Sequence, residues 1–303
     1  MNGILPLHKP KGLTSHDCVM RVRKLLHIKK VGHTGTLDPE VEGVLPICIG
    51  EATKIIPYVL HLKKVYIADV ALGKATTTED KEGDVIEQKE VSSPPTDEEI
   101  EKVLQKFKGD IIQIPPMYSA VKVKGKRLYE YARAGINVER PQRNVTIFQI
   151  ERKRLNDYLI NDKFRIKVTC SKGTYIRTLC VDIGKKLGYP AHMAYLKRIE
   201  SDSFHIDDTY TFDELEKAVD ENRLEDILLP VDRGLNHLDT MQVDEKTKAK
   251  ILQGQKFPLP SQKFKTESFK VMHHNELLAI YKLHKNEEIK PERVFNIYKN
   301  VGE

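Results

Sequence analysis

Asp38 is the side chain of this sequence whose surroundings best suit chemistry at a carboxylate. It stands in the segment GHTGTLDP, residues Gly32–Pro39, where glycine and proline constrain the backbone and where His33 and Thr34 offer hydrogen-bond donors. The flanking residues are apolar, and burial among them would desolvate a carboxylate and make it more reactive. An aspartate before a proline also commonly hydrogen-bonds its own turn. These residues alone leave open both a catalytic and a purely local role.

Arg177 is the second candidate for chemistry. In the segment CSKGTYIR, residues Cys170–Arg177, an alternating strand ends, a glycine turns the chain and a helix begins. The helix dipole disfavours a cation in the first turn, and a carboxylate or phosphate partner would offset that cost. The alternative is an arginine on a solvated helix face.

A third segment combines basic and aromatic residues. The sequence PPMYSAVK, residues Pro115–Lys122, runs into a glycine-punctuated basic stretch that carries Tyr129 and Tyr131. Unpaired bases stack on aromatic faces while lysine and arginine hold phosphates, so the pattern favours a nucleic-acid-binding loop. A solvated basic helix with tyrosines facing a core fits it equally well. The basic residues predicted to bind RNA are Lys122, Lys124, Lys126, Arg127, Arg133 and Arg143.

Two other residues have plain structural interpretations when they are taken alone. Tyr66 lies in the strand-like sequence KVYIA, where a tyrosine usually belongs to the core or the sheet surface. Lys9 lies in the turn KPKGLTS that leads into a helix, and a structural role is favoured over contact with a phosphate.

The elements that must position these residues mix helices and strands without a regular β-α-β rhythm, which predicts an α+β fold. Caps and apolar periodicity predict four helices: one capped by Ser15, one after Thr96 ending at Gly109, one after Thr211 ending near Leu229, and one over about Tyr175–Leu187. Alternation predicts strands over Lys64–Leu72, Asn144–Arg152 and Phe164–Cys170, with a loop or hairpin over residues 76–93.

The pattern changes after Leu238. Short strand-like pieces, Phe269–His273, Leu277–Leu283 and Val294–Tyr298, are separated by polar turns. They predict a small separate β domain of about sixty residues.

Charge is distributed unevenly over the 303 residues. The formal net charge is +6 and the sequence pI is near 8.9. Residues 118–143 hold seven basic and two acidic residues, +5, and residues 240–303 hold twelve and eight, +4. Two localised basic regions suit a phosphate backbone. The four cysteines lack C-x-x-C spacing, and there is neither a signal-peptide pattern nor a long apolar run, which predicts a reduced cytoplasmic protein without a membrane span.

Taken together and in this order, five segments resemble the TruB family of tRNA pseudouridine synthases over nearly the whole chain. They are HKPKGLTS at His8–Ser15, GHTGTLDP at Gly32–Pro39, KVYIA at Lys64–Ala68, PPMYSAVK at Pro115–Lys122 and CSKGTYIR at Cys170–Arg177. One such motif is weak, whereas five in register are highly specific.

The resemblance implies a catalytic domain on an antiparallel sheet over residues 1–238, with a basic thumb inserted at about 117–143. It implies a PUA-like RNA-binding domain over residues 239–303. The implied substrate is the T-stem-loop of elongator tRNA, whose uridine-55 is flipped out and isomerised to pseudouridine.

The resemblance also implies roles for single residues. Asp38 becomes the catalytic carboxylate and Arg177 its ionic partner. Tyr66 is the third catalytic residue: it stacks on the uracil, and it or a nearby group helps to remove the C5 proton. The remaining substrate contacts are assigned to His33, which props the space left by the flipped base, to Tyr175 and Leu196, which line the base pocket, and to Lys9. Glu42 departs from the family, whose members commonly carry a small residue there, and this puts the packing near Asp38 in doubt.

The expected protein is a monomeric isomerase that needs no cofactor, no metal and no obligatory protein partner. Two alternatives stay open at this point. One is a non-catalytic RNA-binding or tRNA-folding protein on the same scaffold. The other is a related synthase that acts on ribosomal RNA or at guide-RNA-directed sites.

Overall fold

The computed structural model describes residues 1–60, 62–153, 162–285 and 287–297. The helices of these residues are α1 (Ser15–Leu26), α2 (Ile56–Val59), α3 (Asp97–Gln105), α4 (Leu128–Arg133), α5 (Ile176–Lys186), α6 (Phe212–Asp220) and α7 (Glu245–Leu252). The strands are β1 (Gly3–Lys9), β2 (Val31–His33), β3 (Glu42–Ile49), β4 (Lys64–Leu72), β5 (Lys74–Thr76), β6 (Val85–Gln88), β7 (Gly109–Gln113), β8 (Lys122–Val123), β9 (Lys126–Arg127), β10 (Arg143–Lys153), β11 (Lys163–Cys170), β12 (Ala191–Ser201), β13 (Phe204–His205), β14 (Thr240–Gln242), β15 (Phe257–Pro258), β16 (Ser268–His273), β17 (Glu276–His284) and β18 (Glu288–Val294). Short 3-10 turns cover Gly50–Ile55, Ile206–Asp208, Leu224–Asp226 and Val231–Leu235.

The chain divides into two compact units. The first unit comprises Met1–Glu40, Val44–Leu60 and Asp202–Glu303, and the second comprises Val41–Gly43 and His61–Ser201. This partition follows spatial contacts and differs from the predicted division at Leu238, which stays a prediction.

In the first unit, the apolar faces of α1 and α6 pack on β1, β2 and β3. The core they share includes Val19, Val22, Leu45, Ile47 and Phe212, each less than 5% exposed. Strand β2 pairs antiparallel with β3, from Val31 opposite Ile49 to His33 opposite Ile47. Because α1 and β2 are tied to this core, the loop that follows β2 starts from a rigid base.

A five-stranded sheet in the order β14-β16-β17-β18-β15 forms the C-terminal part of the first unit. Strand β14 pairs in parallel with β16, and the other pairs are antiparallel. Its core includes Phe269, Tyr281 and Ile289, and α7 contributes Ile251. The predicted β-rich C-terminal part is confirmed. The strand predicted over Val294–Tyr298 is wrong, because the chain is paired earlier, over Glu288–Val294, and residue 298 lies outside the described residues.

In the second unit, strands lie in the order β12-β4-β11-β10-β7 with antiparallel neighbours. In β11 the residues Phe164, Ile166, Val168 and Cys170 are buried and alternate with half-buried polar residues, as the sequence predicted. The first residues of β3, Glu42 and Gly43, pair in parallel with Lys197 and Arg198 of β12. Antiparallel and parallel pairs thus occur together, and the predicted α+β fold is confirmed.

The predicted helices exist, with corrected ends. Thr14, not Ser15, caps α1 through a reciprocal capping box with Asp17. Helix α3 ends at Gln105, and Gly109 begins β7 instead of capping the helix. Helix α6 ends at Asp220 rather than near Leu229, because Asn222 takes a left-handed conformation with φ 54°.

The excursion over residues 76–93 is a hairpin in which β5 pairs antiparallel with β6. The four cysteines are free and buried, as expected of core residues. Burial raises the pKa of the Cys48 thiol to about 12, so it stays protonated and unreactive at neutral pH. No helix of the described residues is long and apolar enough to span a membrane.

Candidate active site

Asp38 lies in the loop that connects β2 and β3, and its side chain is half-buried. The loop is fixed on both sides of Asp38. The Leu37 N–H donates to Ser15 Oγ at 2.8 Å, and Ser15 Oγ donates back to the Leu37 carbonyl at 3.2 Å. On the other side, the Gly12 N–H donates to the Pro39 carbonyl at 3.0 Å. Because its neighbours on both sides are bonded to the first residue of α1 and to the turn before that helix, Asp38 has little backbone freedom.

Ser15 explains why the predicted cap was wrong. Its hydroxyl is 1% exposed and is bonded to the Leu37 backbone, so it is unavailable to the first turn of its own helix. Thr14 supplies the cap instead. Sequence reasoning missed Ser15 as a support of the Asp38 loop, although the neighbouring sequence Thr14-Ser15 offered two hydroxyls for one cap.

Lys9 is fully buried at the end of β1. Its ammonium donates to the Pro10 carbonyl at 2.8 Å and to the Pro39 carbonyl at 3.0 Å. Burying an ammonium is costly unless it is well bonded, so these contacts tie the residue after Asp38 to β1. They agree with the structural role favoured from the sequence, and contact of Lys9 with the substrate stays a prediction.

His33 and Thr34 open the loop. His33 is half-buried, and its Nδ1 accepts the Gly35 N–H at 3.2 Å. Thr34 is 1% exposed, and its hydroxyl finds no hydrogen-bond partner within the described part of the chain. The expectation that Thr34 donates a hydrogen bond is therefore not met by the described residues.

Arg177 lies in the first turn of α5, in the second unit, and is only 5% exposed. Its guanidinium donates to the Tyr118 carbonyl at 2.8 Å and to the Thr78 carbonyl at 2.9 Å. Asp80 Oδ2 lies 3.5 Å from the same guanidinium. Arg177 therefore does not lie on a solvated helix face. The three oxygen atoms offset the unfavourable interaction of its charge with the helix dipole.

Asp80 is a residue that sequence reasoning missed. It lies in the hairpin that was expected to be only a polar excursion, 97 positions from Arg177, and no local pattern links the two. The adjacent Glu79 is held by Thr178, whose hydroxyl donates to Glu79 Oε2 at 2.6 Å. Burial raises the pKa of the Glu79 carboxyl. Glu79 has a φ of 65°, which is uncommon for glutamate. This backbone conformation marks the turn next to Asp80, and only the structure reveals it.

The residues predicted to hold the base lie on three elements of the second unit. Tyr66 of β4 is opposite Arg198 and Leu196 of β12 is opposite Ala68, so Tyr66 and Leu196 are diagonal neighbours on one face. Each is 8% exposed. Tyr175 is the N-cap of α5, where its N–H donates to Gln113 Oε1 at 2.9 Å and its carbonyl accepts from Gln113 Nε2 at 3.1 Å. Gln113 was another support that the sequence did not reveal.

Glu42, the residue that departs from the family, has a specific partner. The Tyr195 hydroxyl donates to Glu42 Oε1 at 2.6 Å, within the second unit. Gly43 follows with φ +117°, and a Cβ there would lie 2.1 Å from the Arg198 carbonyl oxygen, so only glycine fits. The packing that seemed doubtful from the sequence is thus a defined contact.

The predicted thumb is a hairpin of β8 and β9 followed by the short helix α4. Its turn uses left-handed conformations at Lys124 and Gly125. The guanidinium carbons of Arg127 and Arg133 lie 5.7 Å and 5.3 Å from the ring centre of Tyr129. All six basic residues predicted to bind RNA are exposed, namely Lys122, Lys124, Lys126, Arg127, Arg133 and Arg143. Their RNA contacts stay predictions.

Solved structures share the fold of this chain. It aligns with 28% identity and a TM-score of 0.75 to a chain in a structure titled "Crystal Structure of a Cbf5-Nop10-Gar1 Complex", over 96% of this chain and 84% of that one. A second alignment, 24% identical with a TM-score of 0.74, covers 97% and 84% and concerns an H/ACA RNP bound to a substrate RNA. At that identity it shows the fold alone.

Family models give the narrower assignment. The model of the N-terminal domain of TruB family pseudouridylate synthases matches residues 23–176, and that of the tRNA pseudouridylate synthase B C-terminal domain matches residues 177–236. The chain therefore belongs to the TruB family of pseudouridylate synthases.

Curated relatives agree over nearly the full length. The tRNA pseudouridine synthase B of Oceanobacillus iheyensis is 56% identical over 300 residues, 98% of each chain. That of Bacillus subtilis is 51% identical over 93% of this chain and 89% of its own. The predicted family and enzyme class, an isomerase that forms pseudouridine in tRNA, are confirmed.

Proposed function

We propose that this protein isomerises uridine-55 of tRNA to pseudouridine and that Asp38 is the carboxylate that acts at the sugar. One observation carries the assignment of Asp38: its loop is fixed on both sides, by Ser15 at Leu37 and by Lys9 and Gly12 at Pro39, while its own side chain stays half-exposed. A rigid loop that presents an accessible carboxylate suits a group that must meet a reacting atom within a narrow geometry.

The reaction breaks the N1–C1′ glycosidic bond and forms a C5–C1′ bond. The uracil turns over between these steps, C5 loses its proton, and N1 ends with a proton, so atoms balance and no oxidant or reductant is needed. Positive charge develops at C1′ during cleavage, as in glycoside hydrolysis. An ionised carboxylate beside the sugar stabilises that charge, either by bonding to C1′ or by removing the 2′ proton.

Arg177 is assigned to hold Asp38 ionised and aimed, because a guanidinium favours the charged form of a neighbouring carboxyl. Support comes from the environment of Arg177 itself. Two backbone carbonyls and Asp80 fix the guanidinium, so it is pre-oriented and does not depend on a flexible partner for its position.

Tyr66 and Leu196 are assigned to the uracil. Their shared face offers an aromatic ring beside an aliphatic side chain, which suits stacking against a base that has left its helix. His33 is assigned to the space that the base leaves. Flipping the base costs a few kcal/mol, and contacts from the basic thumb and the C-terminal sheet are expected to offset that cost.

Replacement of Asp38 by Asn tests the proposal. We expect D38N to bind tRNA with wild-type affinity and to release no tritium from tRNA labelled with 5-³H-uridine, because the amide carries no charge to stabilise C1′. The matched control is Glu40→Gln, which removes an exposed carboxylate two residues away and should keep wild-type turnover. Substantial tritium release by D38N would remove Asp38 from the mechanism.

No specific observation favours either alternative, the non-catalytic RNA-binding protein or the synthase that acts on ribosomal RNA or at guide-RNA-directed sites. A ribosomal or guide-directed synthase is less supported because identity to the relatives named tRNA pseudouridine synthase B exceeds 50%. Mapping of modified uridines in total RNA from a deletion strain separates the substrates.

A further inference from the structure

The end of helix α1 carries a strongly basic stretch that neither the thumb nor the C-terminal sheet includes. Residues 20–30 read MRVRKLLHIKK and contain five basic residues and no acidic residue, a formal charge of 5 − 0 = +5. This density exceeds that of the thumb, whose +5 is spread over 26 residues. All of these residues belong to the first unit.

Two of the five charges are already neutralised. Arg21 pairs with Glu216 at 2.7 Å, and Lys30 pairs with Glu51 at 2.7 Å. The other three, Arg23, Lys24 and Lys29, have no carboxylate within salt-bridge distance among the residues that the structure describes. Three cations without a counter-charge remain at one place.

These three cations share one open groove of about 580 Å³. The groove is lined by Met20, Arg23, Lys24, His27, Ile28 and Lys29. No acidic side chain lines it, and Met20 is 48% exposed. Arg23 Nη2 donates a hydrogen bond to the Val31 carbonyl at 2.9 Å, while Arg23 Nε has no hydrogen-bond partner among the described residues.

Helix capping does not account for this arrangement. Cations near a helix C-terminus are stabilised by the dipole, by about 0.3–1 kcal/mol, and this explains Lys24. However, the N–H groups of His27 and Ile28 already satisfy the Arg23 carbonyl, and His27 closes the helix in a left-handed conformation. Lys29 lies beyond the helix end, so its charge has no capping role.

The groove is close in the chain to the Asp38 loop. Lys29 precedes β2 by two residues, and the loop begins directly after the three residues of β2. At about 3.3 Å per strand residue, β2 spans roughly 10 Å. The groove and the Asp38 loop therefore adjoin the two ends of one short strand.

We infer that this groove is a further tRNA-binding site, in which Lys24 and Lys29 hold backbone phosphates and Met20 and Ile28 contact a ribose. The inference rests on the proposed function, because it takes tRNA as the polyanion. RNA is favoured over an acidic protein segment because the proposed function requires tRNA at the Asp38 loop, nine residues further along the chain than Lys29.

The test is the salt dependence of tRNA binding. Each lost phosphate contact lowers the slope of log K against log salt by about 0.7–0.9 in magnitude. The double variant Lys24→Gln, Lys29→Gln should therefore lose about 1.4–1.8 from the slope and at least about tenfold in affinity at 0.1 M salt. Its rate at saturating tRNA should equal that of the wild type, because neither residue touches the reacting atoms.

The matched control is Lys102→Gln with Lys106→Gln, two lysines at the end of α3, a helix that also carries four acidic residues. We expect its slope to match the wild type. A slope of the groove variant equal to the wild type, or an equal loss in the α3 control, overturns the inference. Lys29→Gln alone, outside the helix, repeats the test if the double variant melts early. A wild-type protein that binds tRNA but releases no tritium would refute the proposed function instead, independently of the slopes.

Discussion

The cation at α5 and the cations of the thumb differ in what surrounds them. Arg177 is 5% exposed and is fixed by two carbonyls and Asp80, whereas Arg127 is exposed and donates a hydrogen bond to the Tyr129 hydroxyl at 2.9 Å. The first arrangement costs desolvation and gains a fixed position. The second costs little and leaves the charge free to follow a flexible polyanion.

This difference separates two tasks that the same chemical group can perform. A buried guanidinium that two carbonyls hold in place is poorly accessible to a flexible polyanion, but its remaining N–H groups can hold one carboxylate in one geometry. Exposed cations contribute affinity that depends on salt and carry little geometric information. The buried site is therefore expected to affect the rate, and the exposed site to affect binding.

Arg177→Ala gives the largest expected effect. If Arg177 orients the carboxylate that we propose to be catalytic, its loss should lower the rate of tritium release at least tenfold, a change of about 1.4 kcal/mol or more in the activation free energy. The affinity for tRNA should change little. Arg177→Lys should not restore the rate, because one ammonium cannot reproduce the fork that spans both carbonyls.

Lys185→Ala, an exposed change in the last turn of the same helix, is the control for α5. Single-turnover tritium release and filter binding measure both quantities. Wild-type kinetics for Arg177→Ala would contradict the expectation that the buried cation affects the rate whereas the exposed cations affect binding.

The thumb pair Arg127→Gln with Arg133→Gln should give the converse result. We expect KM to rise several-fold and the salt slope of tRNA binding to decrease by about 1.4–1.8, with kcat unchanged. The control is Lys81→Gln, an exposed lysine beside Glu82 on the hairpin. A fall in kcat at saturating tRNA would show that the thumb also positions reacting groups.

The sequence predicted what local patterns determine. The capping boxes of Thr96 and Thr211 predicted α3 and α6, and alternation predicted β11, because caps and period-two burial depend on neighbours within a few residues. The predicted end of α3 was wrong because Gly109 begins β7, which pairs with β10, and the predicted end of α6 was wrong because Asn222 takes a left-handed conformation.

What the sequence could not predict are supports that lie far along the chain. Asp80 and Tyr118 meet Arg177 across 97 and 59 positions, and Ser15 meets Leu37 across 22. No periodicity encodes such contacts, since they arise only when strands and helices pack. The family motifs therefore predicted which residues act in catalysis, and the structure shows which contacts fix the side chains and loops of those residues.

Lys30 and Lys54 form a third set of cations, and we expect a smaller effect from changing their partner than from the changes at α5 and in the thumb. Lys30 and Lys54 both bond Glu51, at 2.7 Å and 2.5 Å, and the Asn296 N–H bonds it at 3.1 Å. Burial alone would raise the pKa of Glu51, but these partners lower it from 4.5 to about 2. Since the folded pKa is depressed, the stabilisation is present above about pH 4.5 and is lost as pH falls toward 2.

Glu51→Gln should therefore lower the free energy of unfolding at pH 7, and the difference from the wild type should shrink at pH 3. Urea unfolding at both pH values measures it, with Glu216→Gln as the control, because the exposed pair of Glu216 with Arg21 is expected to contribute little at either pH. An equal difference at pH 7 and pH 3 would mean that the charge of Glu51 does not stabilise the fold. Lys30 and Lys54 would then resemble the exposed cations of the thumb more than the buried and fixed Arg177.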